Sequence, residues 1–156
     1  MTVIIGSIAM LALWPPFVAE RVFWNRGKRQ TEAQRDAQMA MRAMARVARQ
    51  SSTCDVYTSS NETDIAFTSP SSGGGCFIGF VGGANAGQLW LRATCDSANT
   101  TVLIDGVRSR ITNIAAEEVV NDRLVRVRVV VSHRLRTTDP RQEDEILETK
   151  LFLRNG

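Results

Sequence analysis

Histidine is nearly missing from this 156-residue chain, which has only His133, and cysteine is confined to Cys54, Cys76 and Cys95. Those spacings exclude C-x-x-C zinc and thioredoxin motifs, and His133 has no visible partners for a catalytic triad. Phosphate-binding glycine loops are lacking too. No G-x-G-x-x-G or G-x-x-x-x-G-K occurs, and Gly73-Gly74-Gly75, with no helix and lysine behind it, reads as a loop. The most informative lack is of charge: residues 1–19 carry none, and every charged side chain lies between Glu20 and Arg154. The 44% hydrophobic and 22% charged composition suits one ordinary core and excludes wholesale disorder.

The charge-free end runs Val3-Ile4-Ile5-Gly6-Ser7-Ile8-Ala9-Met10-Leu11-Ala12-Leu13-Trp14 and continues in Phe17-Val18-Ala19. It approaches the ~20 apolar residues that cross a bilayer as a helix. No basic stretch precedes it and no A-x-A-like site follows, so it does not read as a cleaved secretory signal. A buried core helix is the competing reading, disfavoured because such helices are seldom charge-free on every face. Pro15 and Pro16 cannot donate backbone hydrogen bonds, which predicts a kink or local melting at Leu13–Pro16.

From Glu20 to Arg49 eight basic residues face three acidic ones, a net of +5 within a chain total of +3. The basic character therefore belongs to the segment after the apolar end, which weakens a nucleic-acid reading based on pI alone. Ala33, Ala37, Ala40, Met41, Met44, Val47 and Ala48 recur at helical spacing, with Arg35, Arg42, Arg46 and Arg49 facing away. One interrupted helix from about Val3 to Gln50 would be ~70 Å long and would have to project from the globular part.

After Gln50 the periodicity changes to short runs separated by turn residues. Asp55–Thr58, Thr63–Thr68, Cys76–Val81, Gln88–Thr94, Thr101–Asp105, Arg108–Ile114, Leu124–Arg136 and Ile146–Arg154 read as strands of an antiparallel meander. A helix followed by strands is the α+β pattern. In the longest run Val125, Val127, Val129, Val131 and Leu135 alternate with Arg126, Arg128, Arg134 and Arg136. The arginine face is a candidate basic binding face for DNA or anionic lipid. Pairing with Glu143, Glu145 and Glu148 across the hairpin is the preferred account. His133 falls on the apolar side, as a core or rim residue.

Export would make one disulfide plus a third cysteine the natural arrangement. Cys76–Cys95, tying the third strand to the end of the fourth, is preferred over a bridge from Cys54, and three reduced cysteines in a cytosolic protein are the alternative.

The chain resembles the type IV pilin superfamily, which includes minor pilins and the pseudopilins of type II secretion. Met1–Phe17 resembles the pilin helix after leader cleavage, Met39–Ser52 the part of that helix that packs on the sheet, and Leu103–Gly156 the C-terminal half of minor pilins. Leu103-Ile104-Asp105-Gly106-Val107 and the terminal Arg154-Asn155 are similar to W-type minor pilins and J-type pseudopilins. The family's basic leader and Phe-Thr-Leu-x-Glu are missing, so the chain reads as a shortened form with Met1 just past that glutamate. The +5 flank opposes export by the positive-inside rule, and a missing leader would supply the competing charge.

The resemblance implies an α+β, pilin-like fold in which a long Pro-kinked helix packs on one antiparallel β-sheet. It divides into residues 1–28, a membrane or filament-core half; 29–53, an amphipathic half; and 54–156, the β domain. It implies a non-enzymatic filament subunit without cofactor or metal. The bacterial inner membrane would be crossed once, with the β domain periplasmic or extracellular. Ile4, Ile5, Ile8, Leu11, Leu13, Pro15, Pro16, Phe17 and Val18 would contact lipid and then other subunits. A DNA-binding tip pilin and a membrane-anchored domain without a filament are the other expectations.

Overall fold

The computed structural model describes residues 2–69, 74–107, 109–120, 124–133 and 143–153, with side chains described for these except 2–13, 26, 118–120, 133 and 143–145. The chain forms two compact units, Met1–Thr31 and Glu32–Gly156. Helix α1, Thr2–Ala48, supplies the first and opens the second. It continues as one helix through Pro15 and Pro16, so of the kink or local melting expected there, melting does not occur. Each proline removes one backbone donor, and the flanking turns retain theirs. At the other end Ser51 Oγ donates to the Val47 carbonyl at 2.8 Å, closing the last turn.

The strands are β1 (Thr53–Thr58), β2 (Glu62–Thr68), β3 (Gly75–Phe80), β4 (Leu89–Arg92), β5 (Thr100–Ile104), β6 (Ser109–Val120), β7 (Leu124–His133) and β8 (Glu143–Phe152). The architecture is α+β, but the expected pilin-like packing on one sheet must be corrected. The strands divide into a five-stranded antiparallel meander, β1-β2-β3-β4-β5, and a separate three-stranded one, β6-β7-β8. The break falls between β5 and β6, where Gly106 takes a positive φ of 74° after Ile104. There β6 leaves the ladder and pairs with β7 instead of β5.

Within the second unit, Ala33, Ala37, Ala40, Met41, Met44 and Ala48 of α1 share one buried cluster with both sheets. Ile65, Phe67, Phe77, Leu89 and Ile104 come from the first sheet, and Ile111, Ile114, Val125, Val127, Val129, Val131 and Leu151 from the second. Alanine lets helix and sheet backbones approach closely, and Met44 fills the remaining gap. Ser109 Oγ, fully buried, donates to Asp36 Oδ2 at 2.6 Å and ties β6 to the helix. A register shift in β6 between Ile111 and Asn113 turns Ile111 and Ile114, three residues apart, to the same interior.

Two glycines hold the sheets together. At Gly87, φ is 92°, its N–H donates to the Phe80 carbonyl, and its carbonyl accepts from Ile111 N–H at 2.9 Å, linking the β3–β4 loop to β6. At Gly79 the reason is space, since a Cβ would run into the Ile114 side chain on β6. Gly79→Ala is expected to cost about 1–3 kcal/mol by overpacking this contact. Ile114→Ala removes the Cγ2 methyl that the new Cβ would meet, so Gly79→Ala with Ile114→Ala should cost less in urea unfolding than the two single changes added together, and additive losses would refute the direct clash.

Candidate functional site

The first surface lies in unit Met1–Thr31. Trp14, Pro15, Pro16, Phe17, Val18, Val22, Phe23 and Trp24 are all exposed, Phe23 and Trp24 at 78% and 76%. Large aromatic side chains at such exposure, several in succession, mark a contact surface. Arg21 stacks over Phe17, its guanidinium carbon 5.2 Å from the ring centre. Of the expected helix-contact residues, Pro15, Pro16, Phe17 and Val18 thus lie in the open. The side chains of Ile4, Ile5, Ile8, Leu11 and Leu13 lie outside the described ones. Among the described residues no helix is long and apolar enough to cross a membrane. Phe23 and Trp24 escape a reading based on charge-free runs because they follow Glu20 and Arg21.

The second surface is the arginine face of β7. Arg126 sits between two carboxylates, its Nε 3.3 Å from Glu148 Oε1 and its Nη1 3.6 Å from Glu117 Oε2. The Nε contact is an ion pair whose angle does not make a hydrogen bond. Arg128 stands opposite Glu148 in the β7–β8 register, and Lys150 opposite Arg126. The row is interrupted, because Val130 and Ser132 occupy the next two positions on this face and are buried. Arg134, Arg136 and the side chains of His133, Glu143 and Glu145 lie outside the described residues. The described part of this face is therefore mixed in charge.

The third surface is the face of the first sheet turned away from α1. Cys76 at the start of β3 is joined to Cys95, in the turn after β4, with S–S 2.11 Å. Cys54 is half-buried on β1 and takes no part in this bridge. Arg92 secures the same turn: Nη1 donates to the Cys95 carbonyl at 3.0 Å and Nε to Thr100 Oγ1 at 3.0 Å. Its guanidinium also lies 5.1 Å from the Trp90 ring. Trp90 meets Phe80 edge to face at 4.7 Å and donates through Nε1 to Gln88 Oε1 at 2.8 Å.

On this face Asp64 of β2 is opposite Tyr57 on one side and Ile78 on the other. Its Oδ1 is buried and makes no hydrogen bond. Burial raises the carboxyl pKa, neighbouring Glu62 adds to the rise, and Arg92 partly offsets it. The folded state therefore holds this proton more tightly than the unfolded chain. The resulting stability is fully present below the ordinary carboxylate range and is lost as pH rises through the raised folded pKa. Asp64→Asn is accordingly expected to raise the melting temperature at neutral pH and to leave it nearly unchanged in acid. A loss of stability at neutral pH would instead assign the carboxylate a favourable pairing.

Among the described residues no group of three or more His, Cys, Asp or Glu is placed to hold a metal ion. No family model, curated protein or solved structure matches the chain.

Proposed function

We propose that the chain is a structural, non-enzymatic subunit that assembles through its N-terminal helix, a minor pilin or pseudopilin of a type IV pilus or type II secretion filament. One observation carries the reading: the exposed sequence of Trp14, Phe17, Val22, Phe23 and Trp24 on a helix whose preceding residues are charge-free. The charge-free part of such a segment needs an apolar environment, first the hydrocarbon of the inner membrane and then equivalent helices in a filament core, with Phe23 and Trp24 at its edge. The Cys76–Cys95 bridge supports a strand-rich unit outside the reducing cytoplasm. The sequence resemblance supplies the filament class. The reading depends on helix contacts and not on a one-sheet body.

The test is fractionation of the native envelope. Full-length chain should be released by detergent and not by salt, and Leu11→Cys should give cross-linked species with neighbouring subunits. Replacing Ile4, Ile5, Ile8 and Leu11 together by serine should move the protein to the soluble fraction. Monodisperse full-length monomer without detergent would overturn anchoring, and a membrane-bound Leu11→Cys chain with no helix cross-links would leave an anchored domain without a filament.

A further inference from the structure

The helix carries a group of cations at the end of its apolar part that the anchoring reading does not use. Charge-free residues extend to Ala19, Glu20 and Arg21 follow, then the aromatic Phe23 and Trp24, then Arg26, Lys28 and Arg29, with no acidic residue between Arg21 and Thr31. We propose that Arg21, Lys28 and Arg29, with Trp24, form a docking site for the headgroups of anionic phospholipids. The site would set the depth of the helix at the membrane surface. This rests on the anchoring proposed above and adds the class of lipid.

Glu20 and Arg21 are the first charged side chains after the charge-free helical residues Thr2–Ala19, so the boundary of the hydrocarbon core falls at them. Phe23 and Trp24 then fall in the interfacial layer, where amphipathic rings accumulate. Lys28 and Arg29 follow within about a Debye length, 8–10 Å, of the phosphates. Phe17, Arg21, Trp24 and Lys28 recur at three- and four-residue spacing and so share one side of the helix. Arg21 reaches back over Phe17, burying its stem along an apolar ring while its charge stays available. Trp24 and Lys28 are exposed, so their side chains remain available to a ligand. A protein partner would ask for complementary shape but not for a charge-free run followed by aromatic residues set among cations. A bilayer asks for that order.

The experiment uses the full chain with vesicles of phosphatidylcholine alone or mixed with phosphatidylglycerol, at low and high salt. Binding to the mixed vesicles is expected to be tighter and to weaken with salt, roughly fivefold for each cation removed in Arg21→Gln, Lys28→Gln and Arg29→Gln. Affinity for phosphatidylcholine alone should not change, and Lys28→Arg should restore that cation's share. In a Trp14→Phe/Trp90→Phe background, Trp24 fluorescence should be quenched by lipids brominated near the headgroup. Equal binding to both compositions overturns the headgroup site and leaves anchoring intact; binding to neither overturns both. Lipid-independent self-association abolished by the same glutamine variants would assign this side of the helix to a protein partner and defeat the proposal.

Discussion

Replacing Phe77 with alanine is expected to remove about 3–5 kcal/mol of stability, because the ring lies where the first sheet meets the rest of the core. Phe77 is fully buried, meets Phe67 edge to face at 5.9 Å, and stands opposite Ile65 on β2 and Leu91 on β4. Its removal forfeits both the transfer free energy of the ring and the contacts of the side chains left around the cavity. A domain stable by ~5–15 kcal/mol would lose a large fraction of that margin. The check is a fall in the urea midpoint with little change in slope. Phe152, 71% exposed on β8, is the control, and Phe152→Ala should stay within about 0.5 kcal/mol. Equal losses at the two positions would contradict the burial described here.

Removal of the bridge by Cys76→Ala with Cys95→Ala should cost about 3 kcal/mol, mainly by enlarging the freedom of the unfolded chain. The bridged cysteines are 19 residues apart, a loop that includes β4 and the glycine-containing β3–β4 connection. In the native state Arg92 still holds the Cys95 carbonyl and Thr100, so the turn should persist after the bridge is gone. The loss should therefore appear in global unfolding more than in local exposure. Reductant should lower the midpoint of the parent by a similar amount and leave that of the double variant unchanged. A parent midpoint insensitive to reductant would show that the bridge contributes nothing measurable.

Much of the local structure is legible in the residues. The helix over Ala33–Ala48 follows from small apolar side chains at three- and four-residue spacing, and β2 from the alternation of buried Thr63, Ile65 and Phe67 with Asp64, Ala66 and Thr68. Strand limits are less so: β6, read as Arg108–Ile114, runs Ser109–Val120, because Ala115, Ala116 and Glu117 carry little strand signal and gain their pairing from β7. The arginine face of β7 was legible at Arg126 and Arg128, but not its interruption. The consecutive Val129-Val130-Val131 was the available sign that both faces of β7 become buried there. Asp64, Phe80, Trp90 and Arg92 come from three strands, and no spacing along the chain announces that they share one surface.

By itself the sequence determined where backbone periodicity is helical or extended and where charge is withheld, since both are properties of neighbouring residues. It also determined the gradient from apolar to cationic side chains along α1, which needs no partner to exist. Only the tertiary structure decided that the meander splits into two sheets. An Asp105-Gly106 turn serves a hairpin or a departure equally well. Which one occurs depends on whether β6 gains more by pairing with β5 or by packing Ile111 and Ile114 against Gly79 and the helix while pairing with β7. That balance is struck between residues far apart in the chain, through close packing that no local pattern records.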